Sequence, residues 1–271
     1  MYVIFTDLDG TLLDRYSYSF QAAVPGLQAA RENGVPVVFC TSKTRAEVEV
    51  WRSRTGIDAP FIVENGGAVY IPCGYFPFPL PGCGGRGRYE VMEFGTAYQE
   101  LVSTLETASK ESGCRTLGFH AMSTAEIALR THMRIADAEL ARMREYDEPF
   151  QILDSGTHRL LEAIAAHGKR WNRGGRFYHI TGNNDKATAV RYLMALFRQA
   201  NAGVVAIGIG DAWSDVAFLN VVDIPVLIRT ETVQAIWREV PRGLISDSPG
   251  PAGWNETVLK IIGAAHPVAA V

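Results

Sequence analysis

The chain has 271 residues, 47% of them hydrophobic and 20% charged, with a formal net charge of −3. That is the composition of a globular protein long enough for one large or two moderate α/β domains, and its slightly acidic balance argues against nucleic acid as a partner. No apolar stretch approaches the roughly 20 residues of a membrane span, the first residues already read as a strand, and the four cysteines lack a C-x-x-C pairing, so neither membrane insertion nor zinc is expected and a cytoplasmic setting is.

Tyr2-Val3-Ile4-Phe5 is short, β-branched and aromatic, which predicts a buried strand, and Asp7-Leu8-Asp9-Gly10-Thr11 follows it directly. Two carboxylates therefore stand just past a strand end, where Gly10 can supply a turn of positive φ. One could attack phosphorus while the other moves protons, although an Asp-x-Asp is also at home in loops and calcium sites. A helix is predicted from about Pro25 to Gly34, since proline suits a helix start and glycine the position past its end. Val35 to Cys40 reads as a second strand, with Pro36 tolerable only near its beginning. Thr44-Arg45-Ala46-Glu47 fits a capping box, which leaves Thr41-Ser42-Lys43 as the loop before the next helix. Phe61-Ile62-Val63 is a third short strand, ended by Glu64-Asn65-Gly66-Gly67.

Residues 72 to 88 are rich in Pro and Gly and predict a linker. Beyond it, helical patterns at about 96–112, 124–131, 137–146 and 156–167 mix with strand-like pieces at 88–94, 149–153 and 176–180, the pattern of an α+β module. Ser123-Thr124-Ala125-Glu126 is a second capping-box candidate. Strand and helix alternation resumes with a helix from Lys186 to about Arg198, the strand Val204 to Ile209, and the turn Gly210-Asp211-Ala212-Trp213-Ser214-Asp215. Matching α/β patterns on both sides of the break argue for insertion of one domain, 85–181, into another made of 1–84 and 182–271.

The second acidic pair also follows a strand, so the two pairs can meet in the crevice outside the strands' carboxyl ends. Clustered aspartates cannot all ionise cheaply without a cation among them, and all-oxygen ligation favours magnesium, which also bridges phosphate oxygens. A phosphoryl group needs positive charge and N–H donors besides. Thr41 and Ser42, at a strand end beside a helix start, offer hydroxyls and unpaired amides, and Lys186 could add a fixed cation.

Taken in this order, Asp7-x-Asp9-Gly10-Thr11, Thr41-Ser42, Lys186 and Gly210-Asp211-x-x-x-Asp215 resemble the four motifs of the haloacid dehalogenase (HAD) superfamily, and the inserted domain resembles the cap of its Cof-type subclass. The resemblance spans essentially the whole chain. It implies an α/β fold with a Rossmann-like parallel-sheet core and an inserted α+β cap that sets specificity. It also implies Asp7 as a nucleophile that forms an aspartyl-phosphate, Asp9 as general acid and then base, and Ser42 or Thr41 with Lys186 as phosphate holders. Magnesium (Mg2+) would be ligated by Asp7, the backbone carbonyl of Asp9 and Asp211, with Asp215 as ligand or support.

Thr41-Ser42-Lys43-Thr44-Arg45, Glu64-Asn65-Gly66-Gly67, Arg144-Glu145-Tyr146-Asp147-Glu148 and Gly174-Gly175-Arg176-Phe177-Tyr178-His179 further resemble the mannosyl-3-phosphoglycerate phosphatases. That resemblance implies a small-molecule substrate carrying a phosphate, a carboxylate and a sugar. Lys43, Arg45 and Arg176 are then expected at its anionic groups, Asn65 and the Gly66-Gly67 backbone near its sugar, and Glu64 as a further substrate contact. His179 is expected to be structural, because Asp9 already fills the acid-base role. Open alternatives are the glucosyl analogue as substrate, a broad Cof-type sugar-phosphate phosphatase, a phosphomutase and a non-catalytic sugar-phosphate binder.

Overall fold

Strand β1 (Tyr2–Thr6) sends Val3 and Phe5 to one face and Ile4 to the other, and all three are fully buried, as in a parallel strand covered by helices on both sides. The computed structural model describes residues 1–174 and 176–265. Gly175 and residues 266–271, the end of the expected second core segment, lie outside the described residues.

After β1 come α1 (Val24–Glu32), with proline in its first turn, and β2 (Val37–Phe39). Pro36 falls just before the strand, where its carbonyl accepts from the Ile4 amide. Helix α2 (Arg45–Thr55) opens with both arms of the predicted capping box. Thr44 Oγ1 accepts from the Glu47 amide at 3.2 Å and Glu47 accepts from the Thr44 amide at 2.9 Å. Such a cap contributes about 1 kcal/mol.

Strands β3 (Phe61–Val63) and β4 (Ala68–Pro72) pair antiparallel, and a bridge from Cys40 to Ile62 joins them to β2. The Pro- and Gly-rich stretch that predicts a linker contains β5 (Gly84–Arg86), which with β6 (Tyr89–Glu93) extends this sheet in the order β3-β4-β6-β5. Tyr89 packs edge-on against Phe61 and Tyr70, so these residues belong to the core's hydrophobic cluster. The chain leaves that sheet near residue 94 rather than 84.

The inserted layer comprises α3 (Tyr98–Ser112), β7 (Thr116–Gly118), α4 (Thr124–Thr131), α5 (Ile135–Ala141), β8 (Asp147–Ile152), α6 (Thr157–Ala166), β9 (Arg170–Arg173) and β10 (Tyr178–Thr181). Its strands form an antiparallel sheet ordered β7-β8-β10-β9, and Leu101, Leu105, Leu160 and Ile164 of α3 and α6 bury against Phe150 and Ile180. The Ser123–Glu126 capping box starts α4. The helix predicted over 137–146 stops at Ala141, because the Glu145 and Tyr146 amides are donated to the Glu64 carboxylate instead of to helical carbonyls.

Then α7 (Lys186–Ala200), β11 (Val205–Gly210), α8 (Val216–Leu219), β12 (Ile224–Leu227), α9 (Val233–Glu239), β13 (Leu244–Ile245) and α10 (Gly250–Ala265) complete the core. The parallel sheet runs β13-β12-β11-β1-β2. One face packs on α7 through Phe5, Val190, Leu193 and Phe197. The other packs on α1 and α10 through Ile4, Phe39, Ala30 and the fully buried Trp254, whose indole donates to Thr6 Oγ1 at 3.0 Å. Thr6 lies opposite Ile209 on one side and Phe39 on the other, so the turns beginning at Asp7, Thr41 and Asp211 leave three adjacent strands at one edge. Both halves of the chain thus build one Rossmann-like sheet around an inserted α+β layer. Among the described residues no helix is long and apolar enough to cross a membrane.

Candidate active site

The Asp7 amide donates to Ile209 O at 2.9 Å, which sets the two acidic turns side by side. Carboxylate oxygens of Asp7, Asp211 and Asp215 lie within 4.8 Å of one another, and all three residues are buried. Asp215 is fully engaged: Oδ2 accepts the Asp211 and Ala212 amides at 3.0 Å each, and Oδ1 accepts Lys186 Nζ at 2.7 Å. Lys186 also donates to Asp7 Oδ1 at 2.8 Å. Asp211 accepts from Thr11 Oγ1 at 3.1 Å and pairs with Arg15. Gly10 has φ +87°, and a Cβ there would lie 2.6 Å from Asp211 Oδ2, so glycine is what lets the turn approach that carboxylate.

Burial pushes the Asp7 carboxyl up to about 8, with Asp215 and Asp211 adding to the rise and Lys186 opposing it. Burial likewise raises Asp211 to about 6, with Asp215 adding and Arg15 and Thr11 opposing. For Lys186 burial alone would favour the neutral amine, yet Asp215 and Asp7 outweigh it and hold the ammonium above its ordinary range. One buried lysine and a partly exposed arginine leave three clustered carboxylates short of positive charge. Hard, all-oxygen donors in that condition fit a divalent cation. Asp7 and Asp211 have oxygens to offer it, whereas Asp215 braces Lys186 and the turn from behind.

Asp7, Asp9, Ser42 and Lys186 line one cavity of about 320 Å³ between core and insert. Thr41 is different: its buried hydroxyl accepts from the Lys43 amide at 3.2 Å, so of the two candidate hydroxyls Ser42 is the one at the cavity. Lys43 lies on the wall with Nζ 2.9 Å from Asp9 Oδ2 and 3.5 Å from Glu47. The other Asp9 oxygen, Oδ1, is buried without a partner among the described residues. Arg176 also reaches the cavity, bonded to the Thr131 carbonyl at the end of α4.

Four residues expected at the substrate do not line this cavity and are engaged by neighbouring groups. Arg45 pairs with Glu49 at 2.8 Å along α2 and lies 3.7 Å from Glu145. Glu64, fully buried, accepts the Glu145 and Tyr146 amides at 2.8 to 3.1 Å. Asn65 Nδ2 donates to Asp147 at 2.5 Å. Both hold left-handed backbone, φ 46° and 57°, a strain that persists because contacts on every side determine it. Gly66, at φ +86°, passes so close to α7 that a Cβ would sit 2.2 Å from Asp185 O. Glu64-Asn65-Gly66 is therefore a knuckle that ties the insert to the core. Its Glu64 and Asn65 amides bond to Lys43 O and Thr41 O at 3.0 Å each, and Arg144 reaches Ser42 O at 2.8 Å from the insert. Arg15 and Tyr18, which join the cavity wall, lie in a loop with no periodic signal, and nothing in the sequence singles them out.

The family model for haloacid dehalogenase-like hydrolases matches residues 4–76. A Methanococcoides burtonii protein named glucosyl-3-phosphoglycerate/mannosyl-3-phosphoglycerate phosphatase is 40% identical over 268 residues, 97% of each chain. A Pyrococcus furiosus mannosyl-3-phosphoglycerate phosphatase is 38% identical over 228 residues, 83% of this chain and 90% of its own. Among solved structures, a HAD subclass IIB sugar phosphatase superposes with a TM-score of 0.66 at 16% identity, covering 97% of this chain and 99% of that one, which supports the fold. Phosphatases of the HAD type typically need a divalent metal ion, in keeping with the acidic cluster.

Proposed function

The chain belongs to the haloacid dehalogenase-like hydrolases, among their glycosyl-3-phosphoglycerate phosphatases, and on that premise we propose that it hydrolyses mannosyl-3-phosphoglycerate to mannosylglycerate and phosphate with magnesium as its metal. Asp7 carries this reading. It is a buried carboxylate in the wall of the cavity, bonded to Lys186 and set against Asp211. A carboxylate so placed is a nucleophile waiting for an electrophile that brings its own negative charge. Asp7, the Asp9 carbonyl and Asp211 would hold the magnesium ion, which when bound neutralises the repulsion between the attacking carboxylate and the phosphate ester.

Asp7 attacks phosphorus and the bond to the glycerate oxygen breaks, leaving an aspartyl-phosphate. Asp9, whose partly exposed side chain lines the cavity, hands a proton to that leaving oxygen and then takes one from the water that releases phosphate. Lys43 beside Asp9 Oδ2 keeps that carboxyl aimed at the cavity, while Lys186 and Ser42 hold phosphate oxygens. The cap, which we place at 95–181 with the core as 1–94 and 182 onward, closes the cavity against bulk water. The four cysteines, all free thiols, suit the reducing cytoplasm. The glucosyl analogue is the second reading, favoured by the double name of the M. burtonii relative.

Phosphate release from both glycosyl-3-phosphoglycerates and from hexose 6-phosphates, with magnesium, tests the assignment. The glycosyl-phosphoglycerates should exceed the hexose phosphates in kcat/KM by about 100-fold or more, as a site built to pair with a charged group discriminates against compounds lacking it. Comparable rates across the panel would mean a broad sugar-phosphate phosphatase.

A further inference from the structure

The cap side of the reaction cavity carries a charge pattern that the phosphate does not explain. Among the described residues its charged and titratable groups are Arg144, Arg176 and His179, set among Phe119, Phe177 and Met133, with no carboxylate exposed beside them. The phosphate is already met from the core by Lys186 and Ser42. Arg144 is already bonded to Ser42 O and Ala141 O, so Arg176 and His179 are the groups left to meet a second acceptor on the leaving group.

His179 is the best prepared of them. Its Nδ1 lies 2.8 and 3.1 Å from the two oxygens of Asp147, which is fully buried behind it. Both sit on paired strands of the cap, His179 on β10 and Asp147 on β8. Asp147 is itself held by Asn65 Nδ2 at 2.5 Å and lies 3.9 Å from Arg144. Although burial works against it, the neighbouring His179 imidazole, Arg144 and Asn65 keep that carboxyl below its ordinary range, so it is a carboxylate that accepts from Nδ1. The opposite nitrogen, Nε2, faces Gly174, where even a Cβ would come within 3.0 Å, so only the absence of a side chain leaves it accessible. An imidazole anchored at one nitrogen by a buried carboxylate can hold a second carboxylate at Nε2 when that anion binds together with a proton, the ring then donating to one carboxylate from each nitrogen.

We propose that His179, positioned by Asp147, binds the glycerate carboxylate of the substrate and is the residue through which the cap selects phosphoglycerate derivatives over neutral sugar phosphates. This rests on the substrate reading above. A carboxylate offers acceptors only and matches the donors of Arg176 and His179, whereas sugar hydroxyls need acceptors as well. Asp147 is a positioning residue. The same geometry gives the Asn65–Asp147 contact a purpose, since the knuckle that grips the Ser42 loop also orients the carboxylate behind His179.

The test compares mannosyl-3-phosphoglycerate with its glycerate carboxamide, which keeps phosphate and sugar but lacks the charge. The wild-type enzyme should favour the acid in kcat/KM by roughly 10- to 100-fold, the value of a charge-assisted hydrogen bond, and mainly through KM. His179→Gln still gives Asp147 an amide donor and should bring the acid-to-amide ratio below about threefold. Asp147→Asn should lower the same ratio by a smaller factor, again through KM rather than kcat. Equal wild-type rates on acid and amide would overturn the inference, as would a wild-type ratio in His179→Gln. Turnover of neither compound, with p-nitrophenyl phosphate still hydrolysed, would overturn the substrate reading and the inference with it.

Discussion

Replacing Asp7 with Asn should abolish turnover and at the same time stabilise the metal-stripped protein. The structure places the Asp7 carboxylate among Asp211 and Asp215 with Lys186 as its nearest cation, and burial with those neighbours moves its carboxyl from the ordinary 3.8 to about 8. Each pH unit of displacement carries about 1.4 kcal/mol, so the cost of an ionised Asp7 has an upper bound of about 6 kcal/mol. The cluster shares its proton and its lysine, so one substitution relieves only part of that, about 2 kcal/mol, or roughly 4–8 °C in Tm. Lys186 keeps Asp215 at 2.7 Å in the variant and is not left unpaired. Between pH 4 and 8 the folded state holds a proton that the unfolded chain has released, so the stripped wild-type protein loses stability as pH rises through that window. The advantage of Asn should grow over the same range. Thermal melts in EDTA at pH 5 and pH 8, repeated with magnesium, measure it, and magnesium should raise the wild-type Tm more than that of the variant. A variant that melts no higher than wild type at pH 8 in EDTA, or a gap that does not change with pH, would refute the electrostatic account. Retained magnesium-dependent phosphatase activity would refute the nucleophile.

Two further outcomes follow from single contacts. Lys186→Met removes the cation bonded to both Asp7 and Asp215, which should eliminate detectable phosphate release and cost roughly 3–5 kcal/mol in denaturant melts at pH 8, because two buried carboxylates lose their partner. Gly66→Ala must both hold a side chain at φ +86° and displace Asp185 O, so urea midpoints should fall by the equivalent of about 2 kcal/mol or more. A neutral result would mean that the knuckle yields easily and does not fix the start of α7.

Much of the site was legible because its chemistry is local. Asp7, Asp9 and Gly10 follow an apolar strand within a few residues, Thr44 and Glu47 cap a helix one turn apart, and Asp211 and Asp215 share one turn after β11. Residues 84–93 were harder. Gly and Pro over 72–88 predict a linker and 88–94 a strand of the insert, but β5 forms at Gly84–Arg86, and Tyr89 and Val91 of β6 pack with Phe61 and Tyr70 in the core's cluster. Glu64, Asn65 and Gly66 were expected at the substrate from the resemblance to the mannosyl-3-phosphoglycerate phosphatases. In the structure Glu64 and Asn65 join core and cap through partners about eighty residues away along the chain, which no local pattern signals.

By itself the sequence determined the strands β1, β2, β3 and β11, which turns carry carboxylates, and in what order they come, since periodicity, capping and turn chemistry act over a few residues. Tertiary structure decided which of those groups meet. Lys186 and Asp7 are 179 residues apart and touch because β11 pairs with β1, Ser42 rather than Thr41 faces the cavity because backbone contacts turn the other hydroxyl inward, and His179 acquires its orientation from a strand that pairs beside it. Such contacts depend on register and on which strand lies next to which, and those are set by burial of the whole core at once.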